Sequence, residues 1–295
     1  MAPSLNNKTN KIAISGSTGF IGNSLSQFFK NNMYQIVPIQ RRDIAKGSAH
    51  VASLIKGCEI VINLSGATIL KRWTPNYKSE IFNSRINTTR CLVDAIAKMD
   101  TKPTTFISTS AVGIYEPIDS HDEFSDRLAN DFLGDVCRAW EAEATNIMQF
   151  SDVRLIIFRL GVVLAKNNGA FPKIIKPMNF FVGGKIADGF QWFPFIHVND
   201  LLSAYWYVIN NPNCKGIYNL TAPNPIINQE FTKLLATKIH RPYFFTVPKW
   251  LLKLLYGEAE TVLTQGQNAN PLRLINDGFD FEFPTASKAI DQLIN

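Results

Sequence analysis

Cysteine is scarce in this 295-residue sequence: Cys58, Cys91, Cys137 and Cys214 are the only four, and none forms a Cys-x-x-Cys pair. That excludes a disulfide scaffold and predicts reduced thiols in a cytoplasmic protein. Histidine is as sparse: His50, His121, His197 and His240 stand far apart, so no zinc spacing exists and no metal is expected. No apolar run reaches the ~20 residues that span a bilayer. The longest candidate, 243–256, is broken by Pro248, Lys249 and Lys253. Residues 1–10 are polar and hold no signal-peptide core, so no membrane partner is expected. The formal net charge of +6 is scattered rather than gathered in a stripe, which argues against nucleic acid. Gly184-Lys185 is followed by Ile186, so no Walker A loop is present, and there is neither a Gly-x-Ser-x-Gly elbow nor a His-Glu-x-x-His helix.

What remains is ordinary globular material, 46% hydrophobic and 18% charged. A chain of this size buries roughly 75% of its unfolded surface, enough for a large core. Short apolar strands are predicted at 11–15, 35–39, 59–64, 104–108, 154–160 and 216–220. Helical spacing separates them at 23–30, 79–99, 131–148 and 200–209. Pro38 confines the second strand to an end or an irregular position. The third, 59–64, is apolar enough to be buried on both faces, as parallel sheets require. This alternation predicts an α/β fold, a Rossmann-type doubly wound parallel sheet. Prolines and glycines increase beyond residue 220. The division read from this is a disordered tail at 1–10, a dinucleotide-binding core at 11–220 and a small C-terminal substrate-side lobe at 221–295.

The stretch Gly16-Ser17-Thr18-Gly19-Phe20-Ile21-Gly22 lies between the first strand and the first helix. Gly16 permits the tight turn, Gly19 lets backbone approach a pyrophosphate, and Gly22 lets the helix pack on the strand. The helix start offers free N–H groups and a positive dipole end to the phosphates. All seven residues are therefore expected to contact the cofactor. Gln40, Arg41, Arg42 and Asp43 follow the second strand. An arginine there favours the 2′-phosphate of NADP(H), and an acidic residue favours NAD(H). Arg41 and Arg42 make NADP(H) the expected cofactor, with NAD(H) kept open by Asp43.

Several further stretches occur in one order: Ile-Asn-Leu-Ser-Gly-Ala (62–67), Lys-Arg-Trp-Thr (71–74), Ser-Arg-Ile-Asn-Thr-Thr-Arg (84–90) and Ser-Thr-Ser-Ala-Val-Gly-Ile-Tyr (108–115). Asp-Phe-Leu-Gly-Asp-Val-Cys-Arg-Ala-Trp-Glu (131–141), Arg-Leu-Gly-Val-Val-Leu (159–164) and Phe-Ile-His-Val-Asn-Asp-Leu (195–201) follow. With the glycine turn, this set resembles the atypical short-chain dehydrogenase/reductases of the NAD-dependent epimerase/dehydratase type. Residues 271–284 resemble that group's small C-terminal domain of unknown function. The resemblance covers residues 11–293. It implies a Rossmann fold with NADP(H) at the glycine turn, Arg41 on the 2′-phosphate, and Asn63, Leu64, Ser65 and Gly66 lining the cofactor.

The resemblance also assigns the chemistry, with a departure. The parent superfamily uses a tyrosine, a lysine four residues later, and a serine. Ser110 matches the serine, but Cys137 stands in place of the tyrosine and Glu141 in place of the lysine. None of the eight tyrosines has a lysine at i+4. The candidate catalytic residues are thus Ser110, Tyr115 and Cys137. A thiol titrates near enough to neutrality to move a proton, yet a neighbouring Glu141 raises its pKa, and a packed helix cysteine is the competing reading. Tyr115 lies just past a strand end, where open sheets bind ligands. His197 reads as a structural residue. Arg72 and Trp73 either meet substrate or pack, and 183–192 is a loop placed to close over a ligand. Two functions follow: an NADP-dependent epimerase or oxidoreductase acting on a small molecule, or a noncatalytic NADPH-binding redox sensor.

Overall fold

The computed structural model describes residues 10–295, so the tail expected over 1–10 falls, apart from Asn10, outside the described residues. Strands β1 (Lys11–Ser15), β2 (Gln35–Ile39) and β3 (Ile60–Asn63) are joined through helices α1 (Phe20–Asn31), α2 (Arg41–Ala45) and α3 (Ser48–Leu54). Then come α4 (Pro75–Ala97), β4 (Thr105–Ala111), β5 (Ser120–His121), α5 (Phe132–Thr145) and β6 (Arg154–Leu160). The chain continues through β7 (Val162–Leu164), α6 (Phe171–Asn179), β8 (Gly184–Ile186), β9 (Phe195–His197), α7 (Val198–Asn210) and β10 (Gly216–Leu220). It ends with α8 (Asn228–Lys238), β11 (Phe245–Val247), α9 (Lys249–Tyr256), α10 (Thr261–Thr264), β12 (Asn268–Ala269), α11 (Leu272–Asn276) and α12 (Ala286–Ile294).

Six strands form one parallel sheet in the order β2-β1-β3-β4-β6-β10. The chain is an α/β protein with a Rossmann-like, doubly wound sheet and a small C-terminal region. The order reverses between β1 and β3, which makes the crevice above their C-terminal ends the switch point where such sheets bind ligands. Period-two alternation divides each central strand between two cores. Ile12, Ile14, Ile62, Ile156 and Phe158 face Leu25 and Phe29 of α1 and Leu201 and Tyr205 of α7. Ala13, Val61, Phe106, Leu155 and Ile157 face Val51, Leu92, Val93, Ile96 and Ala144 on α3, α4 and α5. β2 lies at the sheet edge, and Pro38, opposite Ile14, is tolerated there because an edge strand has one side of its backbone unpaired.

Helix starts follow local capping chemistry. Asp131 caps α5 by accepting the N–H of Gly134 at 2.8 Å. Spacing places a helix at 79–99, whereas α4 begins at Pro75. Thr74 accepts the N–H of Tyr77, and Pro75 occupies the first turn, where its missing N–H costs nothing. Spacing also places helix through 148; the α-helix ends at Thr145, and Asn146–Gln149 tighten into a 3₁₀ turn.

The C-terminal region is stitched into the rest of the molecule. β12 pairs with β5, and Phe279 and Phe281 enter the core beneath α7. Asp200, 1% exposed, accepts the N–H groups of Glu282 at 2.9 Å and Phe283 at 3.0 Å. Burial raises its pKa to about 6, against those two N–H groups. An unfolded aspartate titrates near about 4, so the fold favours the protonated acid. Its contribution to stability is complete below that value and lost as pH rises through about 6. Asp200→Asn should therefore destabilise more at about pH 4 than at about pH 7, by about 1–3 kcal/mol. Urea unfolding at both pH values measures the difference, and equal losses would refute it.

Candidate functional site at the switch point

β1 ends in the glycine turn, and the three glycines meet different surroundings. Gly16 adopts φ +73°, and a Cβ there would touch the Leu64 backbone at 3.0 Å. A Cβ on Gly22 would lie 2.2 Å from the Gly16 carbonyl oxygen, so α1 packs directly on the turn. Gly19 is exposed, and a Cβ there would meet nothing nearer than the Gly16 oxygen at 3.3 Å. A Cβ at 19 would thus make one tight contact, with a backbone oxygen, where at 22 it would be blocked outright. α1 has no side-chain cap and no acidic residue in its first turn, so its N–H groups face the crevice unopposed. Ser17, Thr18, Phe20 and Ile21 lie on the same turn, none fully buried.

The β3 end forms the other wall. Asn63 is fully buried: its Oδ1 accepts from Ser15 Oγ at 2.7 Å and from the Ser65 N–H at 3.3 Å, and its amide donates to Thr89 Oγ1 at 2.8 Å. It ties β1 to β3 beneath the crevice. Leu64, Ser65 and Gly66 run along the rim. The 84–90 segment, whose role spacing did not disclose, fixes that rim. Ser84 Oγ accepts the Ala67 N–H at 2.9 Å, Arg85 donates to the Ala67 carbonyl at 3.1 Å, and the Arg85 guanidinium lies over Gly66.

Arg41 and Arg42 open α2 at the tip of β2, both exposed. Asp43 turns back on its own helix. Its carboxylate accepts the Gln40 N–H at 3.0 Å and lies 3.2 Å from His50 Nε2. The Gln40 N–H bond and then His50 lower its pKa.

Ser110 at the β4 end is 1% exposed; its Oγ makes no bond to a nitrogen or oxygen and lies against the Cys137 thiol, while the Ser108 Oγ has no hydrogen-bond partner. Cys137 is buried beside Ser110, and its thiol is pushed up to about 11 by burial and Glu141, with Arg85, the Ser110 hydroxyl and the Ala111 backbone opposing. Glu141 is held by Arg159 of β6 through two bonds of 2.8 Å each, with both residues under 10% exposed. Burial works against the Arg159 charge, but the Glu141 carboxylate outweighs it. Arg159 also donates to the Tyr115 hydroxyl at 2.7 Å, and that hydroxyl donates to Asn219 Oδ1 at 2.9 Å. Tyr115 is fully buried and stacked on His121, and burial raises its pKa.

The structure thus brings Ser110, Cys137, Glu141, Arg159 and Tyr115 together in one buried network. The charge in the apolar run Arg-Leu-Ile-Ile-Phe-Arg-Leu (154–160) is the sequence signal for Arg159. His197 caps α7 through Nδ1 and pairs Nε2 with Gln292 at 2.9 Å. Trp73 donates to the Ile69 carbonyl and packs on Phe132, and Arg72 donates to the Leu254 carbonyl in α9. Within 183–192, β8 pairs with β11.

A parallel sheet with a glycine turn at its switch point defines a Rossmann-type dinucleotide-fold protein. The NAD dependent epimerase/dehydratase family profile matches residues 12–221, and a domain of unknown function, DUF1731, matches 247–293. The chain belongs to that epimerase family. It is 35% identical over 295 residues to an epimerase family protein of Staphylococcus haemolyticus, covering 96% of this chain and 98% of that one. It is 34% identical to the chloroplastic epimerase family protein SDR39U1 homologue of Arabidopsis thaliana, over 95% of this chain and 85% of that protein. The crystal structure of human epimerase family protein SDR39U1 with NADPH superposes with a TM-score of 0.88 at 27% identity, over 96% of this chain and 98% of that one.

Proposed function

We propose that this chain binds NADPH above β1 and β3 and acts as an epimerase-like oxidoreductase on a small molecule. One observation carries the reading: Gly19 is an exposed glycine whose Cβ would meet a single tight backbone contact, set at an uncapped helix start. Close approach of a pyrophosphate gives a glycine there its use. The human relative, crystallised with NADPH, supports the same cofactor. The turn residues 16–22 and the rim 63–66 would hold the dinucleotide, with Arg41 and Arg42 on the 2′-phosphate. Asp43 does not compete, because its carboxylate is committed to capping α2 and to His50. Among the described residues, all four cysteines are free, which suits a reducing compartment such as the cytoplasm.

Bound NADPH supplies a hydride equivalent. The chain's own contribution is the buried Ser110 hydroxyl, which makes no bond to a nitrogen or oxygen, lies against the Cys137 thiol and can turn to donate to a substrate oxygen. The helix positions offer no acid–base pair. At a pKa of about 11 the Cys137 thiol stays protonated, and Glu141 is bound to Arg159. That second observation favours the other reading, a noncatalytic NADPH-binding redox sensor. Following NADPH absorbance against a panel of carbonyl and sugar-nucleotide substrates separates the two. Turnover lost in Ser110→Ala supports the enzyme, and silence across the panel supports the sensor.

The cofactor choice has its own test. A charge-assisted arginine–phosphate contact contributes about 1.5–3 kcal/mol. Arg41→Ala should weaken NADPH about tenfold or more and leave NADH nearly unchanged. Paired titrations measure this. Equal weakening of both would make Arg41 structural, and tighter NADH binding by the parent chain would overturn the assignment.

A further inference from the structure

The segment 243–256, too interrupted to span a bilayer, has an unusual surface. Phe244, Phe245, Trp250, Leu254 and Leu255 are each more than half exposed, Phe244 at 86%. In α9 the sequence is Lys-Trp-Leu-Leu-Lys-Leu-Leu-Tyr, and Leu252 is its buried residue. At about 100° per residue, Trp250 and Leu254 lie one turn apart on the face opposite Leu252. Lys249 and Lys253 flank them on one side, and Leu251 and Leu255 on the other. A surface helix normally turns its apolar stripe inward and a polar face to water. α9 turns an apolar stripe outward.

The neighbouring strand extends this surface. β11 pairs with β8, with Phe245 opposite Gly184. Phe180, Phe181 and Val182 lead into β8, each more than half exposed, and the Arg241 guanidinium lies 4.9 Å from the Phe181 ring centroid. Exposed large apolar side chains gathered on elements that follow or pair with one another mark an interaction site.

Charge selects the occupant. Segments 170–187 and 231–257 carry eight lysines and arginines and no aspartate or glutamate. Of these, Lys238 pairs with Asp291, Lys249 lies 3.6 Å from Glu260, and Lys185 donates to the Asp188 carbonyl. Lys173, Lys176, Lys233, Arg241 and Lys253 form no ion pair among the described residues. Tryptophan, phenylalanine and leucine beside unpaired lysines are the composition that seats a helix at the interface of an anionic bilayer.

Against the sequence expectations of scattered charge and no membrane partner, we propose that α9, with the β8–β11 edge, docks this protein on an anionic membrane surface. Among the described residues no helix is long and apolar enough to cross a membrane, so the attachment is peripheral. The Arg72 contact to the Leu254 carbonyl ties α9 to the segment that follows β3.

Co-sedimentation of the full chain with vesicles tests this, using phosphatidylcholine alone or phosphatidylcholine with phosphatidylserine. The parent chain should pellet with the phosphatidylserine vesicles, much less with phosphatidylcholine, and less at high salt. Trp250→Ser with Leu254→Ser should lower the partition at least about tenfold. Lys173→Glu with Lys253→Glu should abolish the preference for phosphatidylserine. Both pairs change exposed residues, and circular dichroism melts confirm their folding. Three results would each overturn the proposal: no pelleting of the parent chain with phosphatidylserine vesicles, pelleting undiminished by the Trp250/Leu254 pair, or a concentration-dependent dimer that this pair dissolves. The last would assign the surface to a second copy.

Discussion

Glu141→Ala should destabilise the protein by about 3–5 kcal/mol, because it leaves the Arg159 guanidinium buried without a counter-charge. Arg159 is 5% exposed, and two bonds of 2.8 Å, from Nε and one terminal nitrogen, hold it to Glu141. Its remaining bond, to the Tyr115 hydroxyl, does not neutralise the charge. Glu141→Gln keeps one acceptor and should lose less. Replacing both partners, Glu141→Leu with Arg159→Met, removes the desolvation of two ions together and should recover much of the single-variant loss. Denaturant unfolding of the four proteins gives the comparison. A loss under about 1 kcal/mol in Glu141→Ala would show that the pair carries little.

The same pair explains why this site is not one substitution away from the superfamily arrangement. Glu141→Lys would set a second cation against Arg159 in a buried space. A tyrosine at 137 would need room that the packed Cys137 does not leave, since it is 4% exposed between Ser110 and Glu141. Here the buried positive charge lies on β6, and the two Arg159 bonds to Glu141 set it against the α5 position that the resemblance gives to the lysine.

Strands were legible because a doubly buried parallel strand must be apolar at every position, and 11–15, 59–64 and 154–160 nearly are. The glycine turn was legible because its context, strand before and helix after, is local. The Glu141–Arg159 pair was not, because it joins residues 18 apart on different elements. No periodicity reports such a pairing, although a charged residue inside a buried strand requires a partner. Asn63 illustrates the same limit. The family resemblance implies that it lines the cofactor, while its side chain is spent on Ser15, Ser65 and Thr89, the last 26 residues away. The boundary of α4 was within reach, since Thr74-Pro75 is a cap followed by a first-turn proline.

Gly19→Val should abolish dinucleotide binding while leaving the fold nearly intact. At φ −72° the backbone suits any residue, and a Cβ would meet one tight contact, the Gly16 oxygen at 3.3 Å, which has to yield by a few tenths of an ångström. The expected stability loss is about 1 kcal/mol, from a poorer helix cap. The ligand side differs: valine's branched side chain would fill the space through which backbone N–H groups reach a pyrophosphate. Affinity for NADPH should fall more than about hundredfold, because that contact and the helix-end charge interaction are lost together. Its neighbours make the control. Gly22→Ala puts a Cβ 2.2 Å from the Gly16 oxygen, and Gly16→Ala forces φ +73° on a residue that resists it. Both should lower the melting temperature before binding is asked about. Calorimetric titration of NADPH beside thermal melts of the three variants sorts them. A folded Gly19→Val protein with unchanged NADPH affinity would remove the glycine turn from the cofactor site.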